Sequence, residues 1–148
     1  MMQLSELIVS SDKSKLDRNL ILEQLRDSYW AQNIPAQTVQ TSIENSLCYG
    51  AYYQDRQLAY ARVVTDQATF AYLADVFVLE AYRGLGIGNK LVEAVLADER
   101  TSQVRRFMLA TRDAHGVYES FGFKTLDAVE AGKMMQIRPV TKYPALND

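Results

Sequence analysis

Histidine and cysteine are almost missing from this chain of 148 residues, which contains one of each, His115 and Cys48. One cysteine cannot form an internal disulfide, and one thiol with one imidazole is too few for a structural zinc site. We therefore expect neither a disulfide nor a metal. A thiol–imidazole pair is the alternative, but Cys48 lies in a strand-like stretch, where a buried and inert thiol is usual.

Excess basic charge and long hydrophobic runs are missing too. Sixteen Lys and Arg against 18 Asp and Glu give a net charge of −2, which argues against nucleic acid as the main partner. No apolar run approaches the roughly 18 residues of a membrane span, and the N-terminal segment lacks the pattern of a signal peptide. We expect one cytoplasmic domain over residues 1–148 that has a loose tail at 138–148 and no membrane partner.

The first third of the chain has the periodicity of a strand followed by two helices. A short alternating stretch predicts a strand over 4–10. Apolar residues at helical spacing then predict a helix that is capped by Asp12 or Ser14 and ends by Trp30. Pro35 suits the first turn of the second helix.

The rest of the chain is mostly strand-like. The stretches at 47–53, 58–65 and 69–79 are rich in aromatic and branched residues and are joined by short polar turns, so we expect an antiparallel meander. Further patterns predict a strand over 106–110, a helix over 114–121, and closing strands that begin at Phe123 and span 133–138. The sum is a mixed α+β domain.

A glycine cluster between a strand and a helix is the most informative segment. Gly84, Gly86 and Gly88 let the backbone approach a ligand closely, and the first amides of the following helix have no helical partners. This arrangement predicts an anion site for phosphate groups, with Arg83 and Lys90 at its rim. The glycine spacing fits neither a P-loop nor the dinucleotide-binding fingerprint. A turn that only permits tight packing is the alternative.

Two motifs point to a known family. The segment Arg83–Gly88 fits the pattern Arg/Gln-x-x-Gly-x-Gly/Ala, and Ala114–Phe123 fits a late helix-and-turn motif, A-x-x-L-Y-E-x-x-G-F. Together they resemble the acetyl-CoA-binding and late motifs of the GNAT N-acetyltransferase superfamily. The resemblance implies a mostly antiparallel sheet, splayed between its middle strands and flanked by helices. It also implies acetyl transfer from acetyl-CoA to a primary amine, most simply of a small molecule, by direct attack in a ternary complex.

The resemblance also assigns site residues. The backbone N–H of Val76 would hold the oxyanion, and Tyr118 would protonate the departing thiolate, although a core tyrosine is the alternative for Tyr118. Thr111 stands where many family members carry Asn. The residues that would bind the cofactor are Val76, Phe77, Val78, Arg83, Gly84, Leu85, Gly86, Ile87, Gly88, Asn89, Thr111 and Tyr118.

The general base and the acceptor are open. Asp75 lies within an apolar strand, where a charge is costly without a partner or a purpose, so it is the leading candidate for the base. A structural acid is the alternative for Asp75, and Asp66, Asp113 and Glu119 are weaker candidates. A non-catalytic acyl-CoA-binding module and a protein or peptide N-acetyltransferase are the alternative functions. Edge strands and exposed aromatic residues are compatible with a homodimer.

Overall fold

A five-stranded sheet forms the centre of the computed structural model, which describes residues 2–146. The strands follow one another in chain order across the sheet. Neighbours are antiparallel from β1 to β4, whereas β4 and β5 are parallel. The prediction of a mixed fold with a mostly antiparallel sheet is therefore confirmed. The strands are β1 (Ile8–Ser10), β2 (Leu47–Tyr53), β3 (Arg56–Thr65), β4 (Phe70–Val78) and β5 (Arg106–Leu109).

Helices flank this sheet and bury its apolar surface. Helix α3 packs on β2 and β3, and α1 packs on α2. Apolar side chains of α3 from Ile87 to Val95 recur at helical spacing, so they share one face of the helix and are buried there. The helices are α1 (Arg18–Arg26), α2 (Ala36–Glu44), α3 (Ile87–Leu96), α4 (His115–Glu119) and α5 (Ala128–Ala131).

The first helix begins at a different cap from the two predicted, and it ends at Arg26, within the predicted limit at Trp30. Its N-cap is Asp17, whose carboxylate accepts the N–H of Leu20 at 3.0 Å. Asp12 caps a separate 3-10 turn instead, by accepting the N–H of Ser14. The helix ends at Arg26, because the hydroxyl of Ser28 donates to the Leu25 carbonyl and so competes with further helical turns. Trp30 consequently lies in the loop between α1 and α2.

The N-terminal strand is shorter than predicted. Leu4–Glu6 forms a 3-10 turn, and only Ile8–Ser10 pairs with β2. The ammonium group of Lys90, in α3, donates to the carbonyl oxygens of Leu4 (3.0 Å) and Leu7 (3.1 Å). In a longer β1 these carbonyls would accept hydrogen bonds from a neighbouring strand, and here they accept from Lys90 instead. The two bonds hold the N-terminal turn beside α3.

The predicted closing strands are wrong. Over residues 2–146 no strand follows β5, and the segment after α4 contains only the short helix α5. Alternation predicts a strand at 133–138, but Met135 is 96% exposed and Ile137 is 94% exposed, so no neighbouring surface buries that face. The described tail has no helix or strand, and its Tyr143 packs against the core. Asn147 and Asp148 lie outside the described residues. No helix in the described range is long and apolar enough to cross a membrane.

Tyr52 places a hydroxyl group in the core with no hydrogen-bond partner among the described residues. Its side chain lies against Gly50, where an added Cβ would be 2.4 Å from the hydroxyl oxygen. Burial raises the pKa of Tyr52 to about 12, with a smaller contribution from the nearby charge of Asp12. A buried polar group without a partner costs free energy, typically about 1–3 kcal/mol.

We expect Tyr52→Phe to raise the free energy of unfolding by about 1 kcal/mol at pH 7, because it removes only the unpaired hydroxyl. Between pH 10 and 12 the unfolded wild-type chain loses the Tyr52 proton while the folded chain keeps it, so wild-type stability falls as pH rises. The variant should show a shallower fall. Urea denaturation at pH 7, 10 and 11 measures both effects.

The half-exposed neighbour Tyr53 provides the control, since Tyr53→Phe should change stability at pH 7 by less than about 0.5 kcal/mol. A clear loss of stability in Tyr52→Phe would contradict the prediction and indicate that the hydroxyl binds an ordered water.

Candidate active site

A gap opens between β4 and β5. The two strands pair from Phe70 with Arg106 to Leu73 with Leu109, but β4 continues to Val78. Beyond Leu73, β4 still pairs with β3 on its other side. The predicted splay is therefore present. It lies between the last two strands of the sheet rather than between middle strands, because the closing strands are missing from the described residues. The gap exposes the backbone edge of Val76, Phe77 and Val78.

A β-bulge lies where the gap begins. Tyr60 pairs with Phe77 and Arg62 pairs with Ala74, so one residue of β3 faces two residues of β4, Asp75 and Val76. Asp75 has a φ of 54°, in the left-handed region that only a few side chains tolerate. Bulges of this kind bend a strand and increase its twist. The bulge thus directs the rest of β4 away from β5.

The carboxylate of Asp75 has partners at both oxygens. The indole N–H of Trp30 donates to Oδ1 at 2.9 Å, and Nε of Arg62 donates to Oδ2 at 2.9 Å. Arg62 donates in addition to the hydroxyl of Ser46 at 3.0 Å. The Arg62 and Asp75 side chains are only 17% and 10% exposed, so water screens this ion pair weakly.

The sequence singles out Trp30 only as the limit of the first predicted helix, and it does not single out Arg62. A lone arginine on one buried strand and a lone aspartate on the next would have indicated the pair, because a charge in an apolar strand needs a partner.

The glycine loop presents backbone N–H groups at the other end of the gap. Gly84 and Gly86 have φ values of 79° and 88°, and Gly86 is the N-cap of α3. The first helical bond of α3 runs from the N–H of Lys90 to the carbonyl of Gly86. None of the amides from Gly84 to Asn89 donates to a carbonyl within residues 2–146. Free amides at a helix N-terminus are typical of a phosphate site.

The two cations predicted at the rim of this loop are engaged elsewhere. Nε of Arg83 donates to the carbonyl of Val78 at 3.0 Å, which links the end of β4 to the loop. Lys90 binds the carbonyls of the N-terminal turn, as described above. The anion-binding capacity of the loop therefore depends mainly on backbone N–H groups and on the helix dipole.

Tyr118 lies on α4, on the β5 side of the gap. Its half-buried ring packs edge-on against Phe123, with 6.0 Å between the ring centroids. Burial raises the pKa of Tyr118, and the nearby Tyr29 raises it further, so the phenol keeps its proton at neutral pH. Thr111, which follows β5, accepts the N–H of Ala114 at 3.0 Å and so helps to start α4.

The loop after α1 contacts both sides of the gap. Trp30 bonds to Asp75 on β4, while the adjacent Tyr29 accepts the N–H of Arg112, which follows β5, at 3.4 Å. The guanidinium carbon of Arg112 lies 3.8 Å from the centre of the Tyr29 ring, a cation–π contact. Tyr29 and Trp30 also pack edge-on at 5.1 Å. This aromatic pair therefore bridges the two strands where they part.

Two cavities adjoin the site. One, of about 570 Å³, runs along β5 and α4 and includes Thr111 and Tyr118, but it contains neither Val76–Val78 nor the glycine loop. The other, of about 550 Å³, lies between α2 and β3 and is lined mainly by polar residues. Its wall includes Arg62 and Ser46, the partners of the Asp75 network. This polar recess therefore shares Arg62 and Ser46 with the Asp75 network.

Two other residues considered from the sequence, Asp66 and Cys48, lie in a turn and in the core. Asp66 accepts the backbone N–H groups of Ala68, Thr69 and Phe70, which makes it a turn residue and lowers its pKa. Cys48 is buried and its thiol pKa is raised by that burial. In the described part of the chain, no group of three or more His, Cys, Asp or Glu side chains could hold a metal ion.

Known proteins share this architecture. The profile described as Acetyltransferase (GNAT) family matches residues 18–123, which is more than half of the chain. A solved protein of the GNAT family from Xanthomonas campestris pv. campestris is 46% identical, with a TM-score of 0.84 over 90% of this chain and 94% of that one. A Gibberella zeae protein that bears the name of an acetyltransferase is 26% identical over 91% of this chain and 89% of its own.

A more distant structure shares the fold alone. A Mycobacterium tuberculosis protein that was solved in complex with CoA and a second ligand is 20% identical, with a TM-score of 0.66 over 81% of this chain and 73% of that one. The parted strands, the glycine loop at the start of α3 and the profile match agree with one another. This chain belongs to the GNAT family of acetyltransferases.

Proposed function

We propose that the protein transfers the acetyl group of acetyl-CoA to the primary amine of a small molecule. The observation that carries the proposal is the run of unpartnered amides from Gly84 to Asn89, within the described residues, at the mouth of the gap between β4 and β5. A pyrophosphate needs such amides, and an extended pantetheine arm needs a strand edge with free backbone groups. The segment 76–89 of this chain contains both a strand edge beside the gap and free loop amides, and within it the Val78 carbonyl already accepts from Nε of Arg83.

The glycine loop has the space that a phosphate ligand requires. A Cβ at Gly84 would meet nothing within 4 Å, so the surface above it is open. The positive φ values of Gly84 and Gly86 turn the backbone in a way that larger residues resist. The N–H of Arg83 already donates to the carbonyl of Glu80 at 3.3 Å, so the expectation that this amide binds the cofactor is not met. We assign the pyrophosphate to the amides of Gly84–Asn89 and the pantetheine arm to the edge at Val76–Val78.

The chemistry follows from the groups that face the gap. When bound, acetyl-CoA supplies a thioester that a neutral amine can attack. The C–N bond forms, the C–S bond breaks, and the proton that the amine nitrogen loses passes to solvent water. The N–H of Val76, the second residue of the bulge, would hold the thioester carbonyl oxygen as negative charge develops on it. The phenol of Tyr118, which carries its proton at neutral pH as tyrosines ordinarily do, would donate that proton to the departing sulfur. We propose that the transfer needs no metal.

We propose that a small polar acceptor binds at the recess beside α2. The neutral polar side chains there offer hydrogen bonds, and the volume of about 550 Å³ is in the range typical of small-ligand pockets. We place the reaction in the cytoplasm, where thiols such as that of Cys48 stay reduced. The homodimer stays a prediction.

An acceptor screen tests this proposal. The purified protein is mixed with acetyl-CoA and with polyamines, amino acids, aminoglycosides or short peptides, and thiol release is measured. We expect release that saturates with one class of small amine. Efficient turnover of peptides alone would instead favour a protein or peptide N-acetyltransferase. Tight binding of acetyl-CoA without any amine-dependent release would favour a non-catalytic binding module.

We expect Gly86→Val to weaken acetyl-CoA binding at least ~10-fold, which is about 1.4 kcal/mol. Gly86 has a φ of 88°, and a β-branched residue resists that conformation and crowds the loop amides. Calorimetry measures the affinity, and circular dichroism checks folding. A Cβ added at the exposed Gly116 would meet nothing within 4 Å, so Gly116→Ala is a control that should bind normally. Normal folding with unchanged affinity in Gly86→Val would reject the assigned site.

We expect Tyr118→Phe to bind acetyl-CoA almost normally but to turn over at least ~10-fold more slowly, a barrier increase of about 1.4 kcal/mol. The substitution keeps the ring contact with Phe123 and removes only the proton donor. Tyr72→Phe, in the paired part of β4, is the matched control and should keep wild-type turnover. Equal rates for both variants, where chemistry is rate-limiting, would assign Tyr118 to the core and not to catalysis.

A further inference from the structure

Three unusual features coincide at Asp75. It lies inside a strand yet has a positive φ of 54°, it belongs to the bulge of β4, and it follows the last residues that pair with β5. A left-handed conformation at a residue other than glycine costs free energy and persists only when its surroundings hold it. The neighbours of Asp75 must therefore supply that restraint.

Hydrogen bonds to the side chain of Asp75 supply the restraint on its backbone. Trp30 and Arg62 donate to different carboxylate oxygens, each at 2.9 Å, from the α1–α2 loop and from β3. Arg62 is fixed in turn by Ser46. The bulge is thus attached to two separate elements of the fold. Charge-assisted bonds in a poorly hydrated setting are stronger and more directional than neutral ones.

The same loop is anchored across the gap. Tyr29 contacts Arg112, which follows β5, by a hydrogen bond and by a cation–π contact. The pair Tyr29–Trp30 consequently links β4 to the segment after β5, so the two cannot move independently without breaking one of these contacts. A displacement of Trp30 would alter both the bulge and the width of the gap.

We propose that Asp75, held by Arg62 and Trp30, is a positioning residue that fixes the bulge and thereby aims the N–H of Val76 into the gap. This assignment rests on the acetyl transfer proposed above, and it replaces the role of general base suggested by the sequence. A base accepts a proton from the amine, whereas a positioning residue needs only the correct backbone and its two donors. The two roles respond differently to substitution.

Three substitutions at Asp75 separate the effect of its backbone conformation on kcat from the effect of its charge on kcat. Asp75→Asn tolerates a positive φ and can still accept the indole N–H, so we expect kcat within about 5-fold of wild type. Asp75→Ala loses both anchors and resists the conformation, and we expect kcat to fall at least ~30-fold. Asp75→Gly can adopt the positive φ but loses both side-chain anchors, so its kcat should lie between those of Asp75→Asn and Asp75→Ala. The KM for acetyl-CoA should change less than about 3-fold in all three, because the glycine loop is untouched.

Trp30 supplies a readout that is independent of activity. It is the only tryptophan of the chain, so its indole N–H gives a single side-chain signal in a proton–nitrogen NMR spectrum. We expect this signal and the amide signal of Val76 to move in Asp75→Ala, and hydrogen exchange at Val76 to accelerate. Trp30→Phe keeps an aromatic ring without the donor and should lower kcat about 3-fold to 10-fold. The exposed Glu23, on α1, provides Glu23→Gln as a control with no change.

Two results would overturn the proposal. One is a loss of kcat in Asp75→Asn as large as in Asp75→Ala while the signals of Trp30 and Val76 stay in place, which would make Asp75 the base. The other is full activity in Asp75→Ala. A wild-type protein that transfers no acetyl group would instead refute the proposed function. In that case the NMR signals and the hydrogen exchange still decide whether Asp75 fixes the bulge.

Discussion

The site depends on the short hydrogen-bonded contact between β4 and β5. Parallel pairing stops at Leu73 and Leu109, and from there β4 leaves its neighbour through the bulge. A longer ladder would fill the edge at Val76–Val78 with β5 and leave no backbone groups for a ligand. A shorter one would remove the support that β5 gives to α4. The length of one strand pairing therefore sets both access to the site and its rigidity.

Backbone N–H groups without a protein acceptor among the described residues lie where a ligand can accept hydrogen bonds from them. Strands β2 and β3 are paired on both sides, whereas the described residues contain no strand that pairs with β4 beyond Leu73 on the side of the gap. The amides of the glycine loop from Gly84 to Asn89 likewise have no backbone acceptor in the described range. Such groups are tolerated because this region remains open to water. The free-energy cost of these open groups is offset by burial in the core, where Ile87 and Leu91 of α3 are almost fully buried. Their packing holds the helix whose first turn presents the loop amides.

Local patterns were predicted well, and contacts between distant residues were not. The meander and the glycine loop depend on turns and periodicities within a few residues, so they could be recognised directly. The network at Asp75 joins residues 13 and 45 positions apart, and no local pattern reports that contact. The strand predicted at 133–138 was wrong for a related reason. Alternation describes a segment that could pair, but pairing also needs a neighbouring edge in the right direction.

The bonds from Lys90 to the N-terminal turn have a consequence for the order of folding. They join residues that are 83 and 86 positions apart, so the turn can dock only after α3 has formed against the sheet. Closing so large a loop costs chain entropy, which native contacts repay only late. The N-terminal turn is therefore among the last parts of this fold to dock. Until then the ammonium group of Lys90 remains in solvent, near the start of the helix that presents the glycine loop.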